Sequence, residues 1–449
     1  MRKLFGTDGI RGRADAFPLD DATMVALGQV LVRRLRTTRE PSPSILLGID
    51  GRESGPRIAR ALAGGIADGG GRAELIGIIP TPGVAWLCRT SDAAAGISIS
   101  ASHNPWQDNG VKVFGEDGMK LADEMELEIE GELEQAREEG ASAGKVELRD
   151  SPALIERYEA FLLGNAKGEE LGGMRLVVDA GNGAAHRIAP DVFRRAGAEV
   201  VVMNADPDGR NINEASGALH PEAMARRVVE ERAHFGVAFD GDADRAIFAD
   251  DRGSIRDGDE ILYLWGSKLR REGALAGDTI VSTVMSNLGF ERKLREEGVR
   301  LVRAQVGDKY VLEAMLREGA VLGGEQSGHI IDLRIHTTGD GIHTAVELAR
   351  LLAASRTPFS GMPTFVPMPQ ILLNERVASR PPLDSLPRYR AEADAAAAEL
   401  GDRGRILVRY SGTENLVRVM VEGEEAERVG RIAERLVSVL RDEIGGRAG

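Results

Sequence analysis

The sequence predicts an α/β protein: three related α/β units whose polar loops would face a shared cleft, and a smaller fourth domain of a different plan. Three observations lead to this class. First, one unit recurs three times, at residues 45–78, 175–203 and 279–304: an aliphatic strand, a glycine-containing turn, an amphipathic helix, a glycine and a second strand. Strands alternating with helices of this length imply βαβ units and mostly parallel sheets. Second, each copy is followed by a helix, a short apolar strand and a polar loop unlike its surroundings. The loops are Ala101-Ser102-His103-Asn104-Pro105, Asp240-Gly241-Asp242-Ala243-Asp244-Arg245 and Glu325-Gln326-Ser327-Gly328-His329. Ligands of open α/β sheets sit beyond the carboxyl ends of the strands, so three such loops would face one shared cleft. Third, the plan changes after residues 358–369, and the last part of the chain centres on a strand, turn and strand from Arg405 to Val419.

Taken in order, the chain opens on Gly6-Thr7-Asp8-Gly9-Ile10-Arg11-Gly12, a glycine-rich loop whose Arg11 is available to an anion. Residues 123–139 read as a strongly charged helix, and 142–150 as a linker before the second unit. Residues 250–258, DDRGSIRDG, read as a tight turn between strands. Pro358, Pro363, Pro367 and Pro369 mark a linker to the last domain. These breaks give domains at 1–150, 151–252, 253–366 and 367–449.

Composition agrees with this plan and excludes other classes. A chain of 449 residues suggests about three domains at roughly 150 residues each, and the internal repeat refines that to three related units and a smaller tail. A hydrophobic fraction of 42% with 29% charged residues is that of an ordinary globular protein. Fifty-five glycines and an aromatic fraction of only 4% fit tight strand-to-helix turns and an aliphatic core. The net charge of −14 gives no global attraction to nucleic acid or anionic lipid. A phosphate ligand would need locally clustered arginines. Cys88 is the only cysteine, which suits a reducing cytoplasm and the role of a small buried hydrophobe. No segment offers the ~20 apolar residues of a membrane span, and the N-terminus lacks the apolar run of a signal peptide.

The loops differ in how much chemistry they announce. Ser102 ends a strand in a polar turn whose Ser and Asn side chains could equally serve local backbone; a serine becomes a nucleophile or phosphate carrier only beside a base, a cation or an anion site. Asp240, Asp242 and Asp244 alternate, so in an extended loop they can turn inward around one hard cation. Arg245 and Asp251 occupy the places where a calcium-binding EF-hand loop needs Gly and Glu, so Mg²⁺ is the better match. Arg245 lies next in line for a phosphate oxygen. Glu325 and Ser327 can hydrogen-bond vicinal sugar hydroxyls, and His329 could protonate or bind phosphate, although a structural histidine reads equally well. Arg409, Ser411, Gly412 and Thr413 form a nest-like turn with Arg418 on the returning strand, suited to a phosphate that does not react. Lys112, in Asn109-Gly110-Val111-Lys112, is a candidate acid/base or phosphate ligand.

Together GTDGIRG, ISASHNP, NGVKVF, FDGDADR, GGEQSGH followed by TTGDG, and RYSGTENLVRV resemble the α-D-phosphohexomutase family, in order and at compatible spacing from residue 4 to about residue 420. Within it the chain is most similar to the members acting on glucosamine phosphates. The resemblance implies an α/β fold of four domains around a central cleft, the first three topologically related mixed α/β sandwiches and the fourth a smaller α+β domain. It also implies that Ser102 is the serine that becomes phosphorylated and that Asp240, Asp242 and Asp244 bind Mg²⁺ together with its phosphate. It places Arg245 beside that phosphate and His329 near the transfer site. It has Glu325 and Ser327 read the sugar, gives the distal phosphate to Arg409, Ser411, Gly412, Thr413 and Arg418, and makes Lys112 the proton-transfer partner. Trp106, Ala243 and Lys309 depart from the usual pattern, where a smaller or polar residue, a glycine and an arginine are more frequent.

The activity implied is reversible conversion of glucosamine 6-phosphate to glucosamine 1-phosphate, feeding UDP-N-acetylglucosamine and cell-wall precursor synthesis. It would run through a phosphoserine enzyme, with glucosamine or glucose 1,6-bisphosphate as intermediate and activator. The expected setting is a cytoplasmic monomer or homodimer with a small sugar phosphate as its partner. Glucose or mannose phosphates are the alternative substrates within the family. Outside it stand a phosphatase with Asp240 as nucleophile, because Asp240-Gly241-Asp242 resembles the opening of haloacid-dehalogenase-type enzymes, and a non-catalytic sugar-phosphate sensor.

Overall fold

The structure is a computed structural model and describes residues 4–6, 8–38, 40–138, 146, 148–164, 170–411 and 415–445. It divides into two compact units, Met1–Thr283 with Ala304–Pro363, and Val284–Arg303 with Thr364–Gly449.

In the first unit the repeated sequence plan becomes a repeated sheet plan. Strand Ser44–Ile49 runs parallel to both Arg72–Ile78 and Ala95–Ile99, and Ala95–Ile99 then pairs antiparallel with Asp108–Gly115. Strand Arg175–Asp179 does the same with Glu199–Met203 and Phe235–Phe239, and Phe235–Phe239 pairs antiparallel with Ala246–Asp250. Strand Thr279–Thr283 runs parallel to Leu322–Gly324, which pairs antiparallel with Ile330–Asp332. Each sheet is therefore mixed, and the antiparallel step has one cause. A parallel partner needs a crossover of a dozen or more residues, whereas the polar loops are short enough only for a hairpin. All three loops singled out in the sequence occupy this same position, the turn from the last parallel strand into its antiparallel neighbour.

The strands feeding these turns read as continuous apolar runs because both faces are covered. Ala95–Ile99 and Phe235–Phe239 are buried throughout. Ile45, Leu47, Ile97, Ile99, Val111 and the helix residues Leu27, Leu31, Ile58 and Leu62 share one core. Cys88 is buried, as its role as a small hydrophobe requires, and burial pushes its thiol up to about 12. Among the described residues no helix is long and apolar enough to cross a membrane.

Two aspartate caps fix helices beside the third loop. Asp257 accepts from the Asp259 and Glu260 amides at the start of Gly258–Arg271, and Asp340 accepts from the His343 amide at the start of Gly341–Ser355. The turn at residues 250–258 is as expected, with strands Ala246–Asp250 and Ile255–Arg256 paired antiparallel. The charged segment forms helix Asp123–Glu138.

The second unit carries the arginine hairpin. Strands Gln370–Arg376, Leu416–Gly423 and Gly404–Tyr410 form an antiparallel sheet with Leu416–Gly423 in the middle. Helix Ala426–Ile444 covers it, burying Val429, Ile432, Ala433, Leu436 and Leu440 at helical spacing. Residues 284–303, within the third repeat, belong to this unit. The Asn287 side chain exchanges hydrogen bonds with the Met368 backbone at 3.0 and 2.9 Å, and Arg405 donates to the Val284 carbonyl at 2.9 Å.

Candidate active site

The three hairpin loops of the first unit meet. The aspartate loop is central. Gly241 comes so close to the serine loop that a Cβ there would lie 2.5 Å from the Ser102 carbonyl oxygen. On its other flank the Ala246 amide donates to the Gly328 carbonyl at 3.1 Å. Gly328 adopts φ +90°, and a Cβ there would lie 2.2 Å from the Ala246 carbonyl, so only glycine lets the third loop lie this close.

Asp240, Asp242 and Asp244 are buried, and one carboxylate oxygen from each lies within 4.8 Å of the other two. Three anions at this separation repel strongly once removed from water. The consequence is visible at Asp240, whose carboxyl is pushed well above the usual range by burial and by repulsion from Asp244 and Asp242. At Asp244 burial acts the same way, but Lys112, His329 and Arg245 outweigh it and hold the carboxyl well below that range. Lys112 donates to Oδ2 of Asp242 at 3.0 Å and of Asp244 at 3.2 Å, and lies 3.2 Å from Asp8. The Oδ1 atoms of Asp242 and Asp244 are buried without a hydrogen-bond partner. A cluster of hard oxygens with two lone acceptors fits a hard divalent cation, which would relieve the repulsion and satisfy both. Among the described residues this is the one carboxylate, histidine or cysteine group with metal-binding geometry.

Ser102 touches this cluster. Its Oγ donates to Asp240 Oδ2 at 2.6 Å and lies 3.3 Å from His103 Nδ1. Ser102 is buried and its backbone is left-handed, with φ +53°. Ala243, in the aspartate loop, also has a left-handed backbone, φ +54°. That is the physical reason a glycine is usual at this place; an alanine there costs about 1 kcal/mol. Trp106, another departure from the usual pattern, packs its ring under the Arg210 guanidinium at 5.0 Å.

Arg245 directs its amide to Asp240 Oδ1 at 3.2 Å and its guanidinium to His103 Nδ1 at 3.3 Å. His329 is buried with Nδ1 3.7 Å from Asp244 and Nε2 accepting from the Gly339 amide at 3.1 Å. Burial would lower its pKa, but Asp244, Asp308 and Glu325 together raise it. A Cβ at residue 339 would sit 2.6 Å from the imidazole, so the TTGDG segment packs flush on the His329 ring. Glu325 is buried and accepts from the Gly307 amide at 3.1 Å, while the Ser327 side chain is exposed. Arg11 pairs with Asp8, and its Nε is buried without a partner.

Ser102, the three aspartates, Lys112, Arg245, His329, Glu325, Ser327 and Arg11 thus all belong to the first unit. Arg409, Ser411 and Arg418 belong to the second; Gly412 and Thr413 lie outside the described residues. In the hairpin Arg409 faces Arg418 directly. Like charges directly opposite destabilise a strand pair unless an anion joins them, and burial with Arg418 beside it lowers the Arg409 pKa. Ser411 is buried, its amide donating to the Leu416 carbonyl at 2.8 Å. Arg405, in the same hairpin, is structural, pairing with the buried Glu422 at 2.6 Å.

Sequence reasoning passed over three residues of the cluster. Thr81 starts a helix and donates to Asp242 Oδ2 at 2.7 Å, with nothing local to mark it. Asp8 was within reach through its place in GTDGIRG. It sits among Lys112, Lys120 and Arg11, which overcome burial and hold its carboxyl well below the usual range. His103 adjoins Ser102; burial, then Arg245 and Arg11, lower its pKa to about 4.

Comparison with known proteins agrees along the whole chain. Residues 2–140, 156–253 and 257–364 match alpha/beta/alpha domains I, II and III of phosphoglucomutase/phosphomannomutase, and residues 372–439 match its C-terminal domain. A protein of Solibacter usitatus named phosphoglucosamine mutase is 47% identical over 445 residues, covering 99% of both chains. A Burkholderia thailandensis phosphoglucomutase/phosphomannomutase family protein shares the fold with a TM-score of 0.78 at 25% identity, over 99% of this chain and 98% of its own. An Aspergillus fumigatus N-acetylphosphoglucosamine mutase, solved with GlcNAc-6P and magnesium, shares it with a TM-score of 0.65 at 19% identity, over 99% and 96%. Four successive domain matches and a relative of this identity over the full length make the chain a member of the phosphoglucomutase/phosphomannomutase family, the α-D-phosphohexomutases.

Proposed function

We propose that the protein is a mutase that interconverts glucosamine 6-phosphate and glucosamine 1-phosphate through a phosphoserine at Ser102. The observation that carries this reading is the 2.6 Å contact of the Ser102 hydroxyl with a buried aspartate cluster that has two unpartnered carboxylate oxygens. The names of its full-length relatives support the substrate.

In the forward half-reaction the bond from phosphorus to Ser102 Oγ breaks and a bond forms to the free hydroxyl oxygen of the bound monophosphate; the proton that this hydroxyl gives up is balanced by the one that the released Ser102 Oγ takes up as it returns to a hydroxyl. The product is a hexosamine 1,6-bisphosphate. After this bisphosphate turns over, its other phosphoryl group returns to Ser102 and the isomeric monophosphate departs. Asp240, Asp242 and Asp244, together with the Ser102 phosphate, would hold Mg²⁺, which would supply Lewis-acid stabilisation of charge on the transferring group. Arg245, beside Ser102, offers a fixed cation for the same charge.

Lys112 is held as a cation by Asp242, Asp8 and Asp244, so its first contribution is charge neutralisation. A proton-transfer role for it follows once those carboxylates are shared with a ligand. Glu325 and Ser327 orient the sugar hydroxyls, and Arg409, Ser411, Gly412, Thr413 and Arg418 hold the phosphate that is not transferred. A cytoplasmic setting belongs to the same proposal, supported by a single, buried cysteine.

The test is side-by-side turnover of glucosamine, glucose and mannose 1-phosphates, with Mg²⁺ and a hexose 1,6-bisphosphate primer, for wild type and Ser102→Ala. The expected result is preference for glucosamine phosphate and activity reduced to background in the variant, together with a phosphate adduct by intact mass in the wild type only. Near-wild-type activity of Ser102→Ala sinks the mechanism, and preference for mannose or glucose phosphate overturns the substrate.

A further inference from the structure

The most heavily engaged side chain around the site is one the chemistry above does not use. Arg52 lies in the turn after strand Ser44–Ile49 and is 1% exposed. Its Nε pairs with Asp50 at 2.8 Å. Its Nη2 donates to the carbonyls of Ser102 at 2.9 Å and Asn104 at 2.8 Å. Its Nη1 donates to those of Pro105 and, at 3.0 Å, Asp108. All five N–H groups of the guanidinium are thereby engaged, four of them by backbone carbonyls of residues 102–108.

The circuit closes through the other side of the same peptide. The Ser102 amide donates to Ser100 Oγ at 2.9 Å, and Ser100 Oγ donates to Asp50 Oδ2 at 2.6 Å. From the second domain, Asn213 Nδ2 donates to the same two carbonyls, Ser102 at 2.9 Å and Asn104 at 3.2 Å. A non-glycine residue at φ +53° persists only where its surroundings over-determine it, and here the residue is gripped at both its amide and its carbonyl.

We propose that Arg52 and Asn213 are positioning residues that clamp the Ser102 peptide in its left-handed conformation and so keep the hydroxyl aimed at Asp240. The inference rests on Ser102 being the phosphoryl acceptor. Neither residue touches the reacting atoms; each acts through the Ser102 backbone. The two grips come from different domains, so the clamp also ties the serine loop to the domain that carries the aspartates.

Two substitutions separate the clamp from folding. Arg52→Lys keeps the charge beside Asp50 but replaces a planar fork by a single ammonium that cannot reach four carbonyls. Asn213→Gly removes only the side-chain amide; the residue has φ +58°, which glycine adopts without strain. For each variant, kcat and KM with glucosamine 1-phosphate are measured together with the rate of phosphate uptake onto Ser102 from glucose 1,6-bisphosphate, read by intact mass. The expected result is a drop of about 100-fold in both kcat and uptake for Arg52→Lys and about 10-fold for Asn213→Gly, with KM changed less than about threefold. Should Arg52→Lys not fold, Asn213→Gly decides. Wild-type kcat in Asn213→Gly, or a raised KM with kcat unchanged, overturns the clamp. Ser102→Ala in the same assay separates the two ideas. If it is inactive while the clamp variants turn over normally, only the clamp falls; if it is active, the reading of Ser102 itself falls.

Discussion

The serine loop and the third loop occupy the same place in their domains, yet they are built for different work. Around Ser102 both the backbone and the functional side chain are engaged, the latter by Asp240 at 2.6 Å. In the third loop the backbone is anchored, with the Gly328 amide on the Glu325 carbonyl at 3.0 Å and the Gly258 amide on the Gln326 carbonyl at 2.9 Å. The two side chains proposed to read the sugar are less engaged than Ser102: Ser327 is exposed, and Glu325, though buried, accepts from one backbone amide. In the proposed mechanism Ser102 carries the phosphoryl group and must be held to within a fraction of an ångström of one geometry, whereas the third loop would read sugar hydroxyls and needs free acceptors and donors when the ligand arrives. Loss of a group from the first should lower kcat, and loss from the second should raise KM.

The aspartate cluster gives that contrast its largest test. Asp242→Asn removes an acceptor of the proposed cation while preserving shape and the Thr81 contact. The expected effect is a fall in kcat of about a thousandfold or more, about 4 kcal/mol, with KM little changed. Steady-state kinetics with saturating Mg²⁺ check it. The same variant should lose the cation's stabilisation. Wild type held at one hundred times the dissociation constant gains about 2.7 kcal/mol, read as a rise in melting temperature with added Mg²⁺, and Asp242→Asn should show little of it. A wild-type melting temperature indifferent to Mg²⁺ would count against the cluster as a metal site.

How much of this was legible in the sequence follows from the range of the interactions. The three loops announce themselves because Asp240, Asp242 and Asp244 alternate within five residues and because SASHNP and GGEQSGH are compositionally unlike the apolar strands before them. The mixed character of the sheets was less plain, since periodicity marks Phe235–Phe239 and Ala246–Asp250 as strands but carries no direction. Thr81 and Asn213 were invisible for a different reason. Each reaches its partner across more than 100 residues of chain, Thr81 to Asp242 and Asn213 to Ser102, and neither residue type is unusual where it stands. Arg52 was hidden by composition: it is one of 57 basic residues, and its burial is a property of the fold.

The reading loop should respond in the other kinetic constant. Glu325→Gln keeps the carbonyl-type oxygen that accepts from Gly307 but removes the charge that strengthens a hydrogen bond to a sugar hydroxyl. A charge-assisted hydrogen bond is worth about 1.5–3 kcal/mol against about 1 for the neutral bond that glutamine keeps, so the loss is about 0.5–2 kcal/mol and KM for glucosamine 1-phosphate should rise by about two- to thirtyfold with kcat changed much less. A kcat-dominated loss would place Glu325 with the reacting groups, and the contrast between the two loops would fail there.

The smallest expected effect concerns what supports the reading loop from below. His336 precedes the TTGDG segment that packs on His329, and it is buried with Nε2 on the Pro82 carbonyl at 2.9 Å and Nδ1 accepting from the Thr337 amide at 2.9 Å. That pattern is satisfied by the neutral ring. Burial, then His343, lowers its pKa from the ordinary value near 6.5 to about 3. The unfolded chain therefore takes up a proton at His336 below pH ~6.5 that the folded chain refuses, so this contribution is fully present above pH ~6.5 and declines as pH falls toward about 3. Between pH 7.5 and pH 6.0 the decline is only about 0.8 kcal/mol. Comparing denaturant unfolding of wild type and His336→Gln at these two pH values isolates it, because glutamine can offer an N–H and a carbonyl but does not titrate. The variant, whatever its absolute stability, should lose less than wild type across that interval. Equal losses would mean that His336 is protonated in the folded protein or that its ring is not enclosed, and the segment beneath the reading loop would then be looser than the serine clamp it is contrasted with.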